Sequence, residues 1–210
     1  NTLGAVNFHS RAILSFSTSF EEGVFPAGSV GFVSQSGALL SSLTDRAADY
    51  GMGLSYATAT GNEADLDVSD FLDFFVRDEQ TQVVMGLIES VQNGEKFLIA
   101  LENLRRARKP VVLLKVGKSK AGEKTALAHT GTLAGSSRVF NAVCQKAGVI
   151  QTDNLEDLLQ TTHLLSKTRL PTNRTLGIIT TSGGAAALLA DSATDLGFTL
   201  PSPSKNVVAR

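Results

Sequence analysis

From Ser29 onward, short apolar runs alternate with segments whose apolar residues recur at three- and four-residue spacing. The first pattern predicts strands buried on both faces, and the second predicts amphipathic helices. The strands are VGFVS (Val30–Ser34), LSYATA (Leu54–Ala59), VVMGLIE (Val83–Glu89), VVLLKV (Val111–Val116) and a short VIQT (Val149–Thr152). Helices are predicted near Gly37–Tyr50, Asp67–Arg77, Gly94–Ala107, Ser136–Ala147 and Leu155–Ser166.

Strand–helix alternation is the mark of a parallel sheet wrapped by helices. Five strands joined by four crossovers and closed by a helix predict an α/β fold, a flavodoxin-like five-stranded parallel sheet of order 2-1-3-4-5 with helices on both faces. Sites in such sheets lie at the carboxyl ends of the strands. Ser34–Gly37 follow the first strand, Gly61–Glu63 the second, Glu89 ends the third, and the segment after the fourth contains His129. A repeat extends the pattern, because Gly31–Ser55 aligns without gaps on Gly177–Pro201, matching Gly31, Ser36 and Gly37 with Gly177, Ser182 and Gly183. The second copy stops after one strand and one helix, too little to bury both faces of a sheet, so its remainder is expected downstream or on another chain.

Two hundred and ten residues with a formal net charge of −1 and a pI near 6.3 describe one or two globular domains and leave no basic footprint for DNA or RNA. No apolar run is long enough to span a membrane, and the amino end lacks the features of a secretory signal, so a soluble cytoplasmic protein is the expectation. The single cysteine, Cys144, excludes an internal disulfide or a cysteine metal cluster and reads as a buried helix-face thiol. His9 and His163 have no partners at metal-ligand spacing, and His163 reads as a helix-surface or packed residue.

The run LAHTGTLAGSSRV, Leu127–Val139, places His129 in a loop of small residues that opens onto a helix. Imidazole is a good nucleophile near neutral pH, Gly131 and Gly135 allow an anion close to the backbone, and the neighbouring Thr and Ser residues offer hydroxyls. This suits a phosphohistidine, although composition alone favours a structural histidine. Lys115, Lys118, Lys120 and Lys124 could add a positive field, or simply belong to a solvated loop. Ser36-Gly37 and Ser182-Gly183-Gly184, each at the mouth of a helix, form the pattern of a phosphate cup, with unpaired amides at the positive end of the helix dipole. Neither is a nucleotide-binding P-loop, so this segment should not bind ATP by itself. Glu89 is placed to hold the second nitrogen of an imidazole nucleophile, or it is a strand-end charge or helix cap. Asn62 and Glu63 could line an acyl or CoA pocket; Asp67 is more simply a helix N-terminal charge.

The motifs GFVSQSGAL (Gly31–Leu39), GNEADLDVSDFLDFF (Gly61–Phe75), Glu89 and AHTGTLAG (Ala128–Gly135) resemble the NDP-forming acyl-CoA synthetases, which include succinyl-CoA synthetase and the ADP-forming acetyl-CoA synthetases. The AHTG and LAGSS details are closer to the acetate-type enzymes. The resemblance implies that residues 1–27 are the tail of a preceding CoA-binding domain and linker, 28–168 a flavodoxin-fold ligase domain, and 169–210 the beginning of a second, making the chain an internal fragment. It further implies that His129 carries a phosphoryl group between an acyl phosphate and a nucleoside diphosphate, that Glu89 is its acidic partner, and that two helix N-termini face the phosphohistidine. The implied participants are coenzyme A, a small carboxylic acid or its acyl-CoA, phosphate, and ATP/ADP with Mg2+ on an ATP-grasp domain or subunit, in an oligomer that holds no metal on this segment. The competing reading is a non-catalytic CoA-binding or regulatory synthetase-like region of a protein acyltransferase; retention of His129 argues against it.

Overall fold

The computed structural model describes residues 3–119, 121–122, 136–168 and 172–202, and the chain divides into two compact units, Asn1–Thr168 and Arg169–Arg210. In the first unit the described elements are β1 (Gly4–Asn7), β2 (Ala12–Ser15), α1 (Thr18–Glu22), β3 (Ala27–Ser34), α2 (Gly37–Asp49), β4 (Leu54–Ala59), α3 (Val68–Arg77), β5 (Val83–Ile88), α4 (Gly94–Arg106), β6 (Val111–Lys115), α5 (Ser137–Ala147), β7 (Ile150–Thr152) and α6 (Leu155–Lys167).

The sheet runs β2-β1-β4-β3-β5-β6-β7. Its five parallel strands, β4-β3-β5-β6-β7, keep the flavodoxin-like order expected from the sequence, with Val30 opposite Val83 and Met85 opposite Val112. Side chains alternate between two covered faces. Phe32, Met85, Leu87, Val112 and Leu114 pack with Leu40, Leu43 and Ala47 of α2 and Leu158 and Leu159 of α6. Val33, Val84, Ile88, Val111 and Leu113 pack with α3, α4 and α5 through Leu72, Phe75, Phe97, Leu104, Phe140 and Cys144. Burial on both faces is why these strands read as continuous apolar runs rather than as alternating ones.

Among the described residues the sheet has seven strands, two more than the sequence pattern predicts. Residues read as a tail and linker contribute β1 and β2, a hairpin whose first strand pairs antiparallel with β4, Ala5 opposite Thr58. These strands are only four residues long, and β2 lies mostly exposed at the sheet edge, so neither carries the buried apolar run that marks the others.

Helix starts follow local chemistry. Asn93 and Asn154 accept the amides of Lys96 and Asp157 at 3.0 and 2.8 Å, and Asp67 forms a reciprocal capping box with Asp70. Caps of this kind contribute about 1 kcal/mol each.

In the second unit, helix α7 (Gly183–Asp195) starts from Ser182, and Thr175 and Thr199 form a parallel bridge. Among the described residues, no helix is long and apolar enough to cross a membrane.

Candidate functional site

The carboxyl edge of the sheet carries Ser34, Gln35 and Ser36 after β3, Glu89 after β5 and Lys115 at the end of β6. At the end of β3 the buried Ser34 turns the chain: its hydroxyl donates to the Ser36 carbonyl at 2.8 Å and accepts the Ser36 amide at 3.1 Å. Ser36 then caps α2, its oxygen accepting the Leu39 amide at 3.3 Å. The amides at the start of a helix have no intrahelical acceptors, so this end of α2 presents donors and a positive dipole. Gly37 is needed for a further reason that the sequence did not disclose: a Cβ there would lie 2.9 Å from Cβ of Leu3. Its φ is not positive, so close approach of the amino-terminal segment, not backbone conformation, demands the glycine.

Glu89 directly follows β5 and is buried. The residue that holds it, Gln35, lies inside the SQSG motif, between Ser34 and the cap. Gln35 Oε1 accepts both the Glu89 amide and, at 2.9 Å, the Ser90 amide, while Nε2 donates to the Ser90 carbonyl at 2.9 Å. Lys115, which the sequence placed among possible loop lysines, is buried at the end of β6; its ammonium donates to the carbonyls of Glu89 and Val116, both at 2.6 Å. The sequence pattern assigns neither residue this role. The available signals were an amide side chain between two serines at a strand-to-helix turn and a lysine closing a wholly apolar strand.

After β4, Gly61 takes a positive φ of 58° in a tight turn, and Glu63 is left-handed at 57°, unusual for a residue with a side chain. Exposed Asn62 and half-buried Glu63 line a cavity of about 400 Å³ with Gly4, Thr60, Leu66 and Phe71. Glu63 is also committed to the fold: Oε1 accepts the Val68 amide at 2.9 Å and the Thr60 hydroxyl at 3.2 Å, bracing the start of α3. Its Oε2 is buried with no donor in hydrogen-bonding geometry. Burial lifts the Glu63 carboxyl above its usual 4.5; the nearby Gln35 carboxamide and the bonds from Val68 and Thr60 oppose the shift, and the nearby Asp67 charge adds to it. Asp67 is the helix N-terminal charge the sequence suggested, bonded to Lys96 at 3.2 Å.

In the second unit, Ser182 accepts the Ala185 amide at 3.3 Å, and a Cβ on Gly183 or Gly184 would meet nothing within 4 Å. His129 and Gly131 lie outside the described residues, as do Lys120 and Lys124. Lys118 pairs with Asp153 at 2.8 Å. His163 is half-buried beside Tyr50, with ring centroids 6.2 Å apart, and His9 Nε2 bonds the Gly28 carbonyl at 2.8 Å. Cys144 is buried, and desolvation pushes its thiol up to about 12.

Residues 27–165 match the succinyl-CoA ligase like flavodoxin domain. The chain is 35% identical over 210 residues to the ADP-forming acetate–CoA ligase of Methanocaldococcus jannaschii, covering 100% of this chain and 29% of that protein. It is 30% identical over 200 residues to subunit alpha of the ADP-forming acetate–CoA ligase II of Pyrococcus furiosus, covering 95% of this chain and 42% of that one. The acetyl-coenzyme A synthetase 1 of Ca. Korarchaeum cryptofilum, described as dinucleotide forming and solved with phosphate and ADP, superposes with a TM-score of 0.86 at 30% identity over 100% of this chain and 44% of its own. The chain thus spans less than half the length of these relatives. The match to the ligase domain, the similarity along the whole chain and the shared fold together show that the chain belongs to the NDP-forming acyl-CoA synthetase family.

Proposed function

We propose that this chain is the phosphoryl-carrying part of an NDP-forming acyl-CoA synthetase, which interconverts a carboxylic acid, CoA and a nucleoside triphosphate with an acyl-CoA, a nucleoside diphosphate and phosphate. The observation that carries the reading is the AHTGTLAG motif, which lies in sequence between β6 and α5, taken together with the Ser36 cap and the buried Glu89 at the carboxyl edge of the sheet. In the direction of ATP synthesis, phosphate displaces CoA from the acyl-CoA to give an acyl phosphate. A His129 nitrogen then attacks phosphorus; the P–N bond forms, the P–O bond to the acyl group breaks, and the carboxylate leaves. The other imidazole nitrogen donates its proton in a hydrogen bond to Glu89, which fixes the tautomer and balances the developing positive charge. The phosphoryl group passes finally to the nucleoside diphosphate.

In this reading the amides at the start of α2 bind phosphoryl oxygens, contributing roughly 0.3–1 kcal/mol when exposed and up to about 2 when partly buried, and the matching amides at the start of α7 are by themselves a second anion cup of the same kind. CoA and the nucleotide with its Mg2+ are handled by other domains, the nucleotide by an ATP-grasp domain or subunit. The absence of a P-loop motif from the sequence and the alpha-subunit name of the Pyrococcus furiosus relative support that division.

The test is to incubate the intact enzyme with γ-labelled ATP. A base-stable, acid-labile label that His129→Ala abolishes is expected; a label surviving in that variant overturns the assignment.

A further inference from the structure

On both sides of β5 the backbone ladder stops just before Glu89. The last bonds are Gln35 N–H to the Leu87 carbonyl at 3.2 Å and Val116 N–H to the Ile88 carbonyl at 2.8 Å. The next two residues, Glu89 and Ser90, carry four main-chain polar groups, and two buried side chains take all of them. Gln35 Oε1 accepts both amides, Gln35 Nε2 donates to the Ser90 carbonyl, and Lys115 Nζ donates to the Glu89 carbonyl. A strand end is ordinarily satisfied by neighbouring backbone or by water. Here an ammonium and a carboxamide have been taken out of water to do it, which costs desolvation and rotamer freedom that a solvated turn would not.

We infer that Gln35 and Lys115 are positioning residues that fix the main chain of Glu89 from opposite sides and so set the direction of its carboxylate. With the peptide planes before and after Glu89 pinned, its Cα–Cβ vector is fixed and only side-chain rotation remains. Gln35 also directly precedes Ser36, so the same three-residue run positions both the helix cap and the acid. The inference rests on the proposed partnership of Glu89 with His129. Its consequence is kinetic, because a displacement of about 1 Å in a reacting constellation can cost on the order of 10²-fold in rate.

The experiment is a double-mutant cycle on the intact enzyme, reading single-turnover phosphorylation of His129 by ATP. Lys115→Met and Gln35→Leu are each expected to slow the step by about 10–10²-fold in the wild-type background. Neither should slow it further in a Glu89→Gln background, whereas a residue acting only through general stability would cost the same in both. Equal losses in the two backgrounds, or an unchanged rate in Lys115→Met and Gln35→Leu while Glu89→Gln is impaired, overturn the clamp alone. Normal phosphorylation in Glu89→Gln overturns the role of Glu89 itself and the clamp with it. Should the core variants fail to fold, amide hydrogen exchange on the unmodified enzyme decides: the Glu89 and Ser90 amides should exchange as slowly as those of β5, and rapid exchange overturns the proposal.

Discussion

Ser36 and Ser182 cap their helices in the same way. Each side-chain oxygen accepts the amide three residues on at 3.3 Å, and each Ser amide is held at 3.1 Å by the hydroxyl two residues before it, Ser34 or Thr180. Their backbone angles nearly coincide, φ −98° and ψ 115° against −106° and 119°. The repeat seen in the sequence is therefore a repeat of cap geometry, and in both copies the serine oxygen is already engaged as an acceptor.

Replacing either serine by alanine should cost about 1 kcal/mol of stability through the lost cap. The remaining amides and the dipole stay in place, so phosphohistidine formation should be slowed but measurable. Thermal unfolding and labelling of Ser36→Ala and Ser182→Ala check both parts; complete loss of labelling with unchanged stability would show that the hydroxyl, not the amides, binds the phosphoryl group.

The glycines beside the two caps should behave differently. Gly37→Val presses on Leu3 and should destabilise the fold by about 1–3 kcal/mol, the usual cost of overpacking, whatever it does to phosphate. Gly183→Ala meets no atom within 4 Å, so it should leave thermal stability unchanged or slightly raised. If the second cup binds the phosphoryl group, Gly183→Ala should still slow phosphohistidine formation. Full activity would remove that cup from the site.

Glu89→Gln should leave the unfolding temperature close to that of the parent and slow phosphohistidine formation by about 10²–10⁴-fold, the range for losing a positioned acid–base partner. Rapid labelling of this variant would return Glu89 to the status of a strand-end charge.

Glu63 makes a pH-dependent contribution whose sign follows from its raised carboxyl. The native state binds this proton more tightly than the unfolded chain does, so the ionised group lowers stability above its folded pKa, and this penalty disappears once the pH falls below the unfolded value near 4.5. A Gln Oε1 can still accept the Val68 amide. Glu63→Gln should therefore equal or exceed the parent in unfolding temperature at pH 7, with the advantage shrinking as pH falls toward 4.5. A variant less stable at neutral than at acidic pH, relative to the parent, would contradict this.

Cys144 should resist modification by a disulfide reagent in the folded protein, because the thiol is buried and its pKa is pushed up to about 12. Labelling should proceed at the rate of unfolding and become fast in denaturant; prompt labelling under native conditions would show an opening that frees α5.

The central five strands and their order were legible because two-sided burial writes an apolar run into each strand, and the crossover helices carry their own periodicity and caps. The Ser-Gly turns and Glu89 were legible as candidates because they sit where those runs end. The hairpin β1–β2 was not, since four-residue strands at an exposed edge owe their existence to pairing with β4 rather than to any pattern of their own. Nor were the roles of Gln35, Lys115 and Gly37. A glutamine 54 residues from Glu89, a lysine 26 residues from it and a glycine facing Leu3 acquire their meaning from parallel register, which brings the ends of β3, β5 and β6 side by side. Periodicity along the chain records which face of an element is buried; it does not record which distant backbone groups that burial leaves in need of a partner.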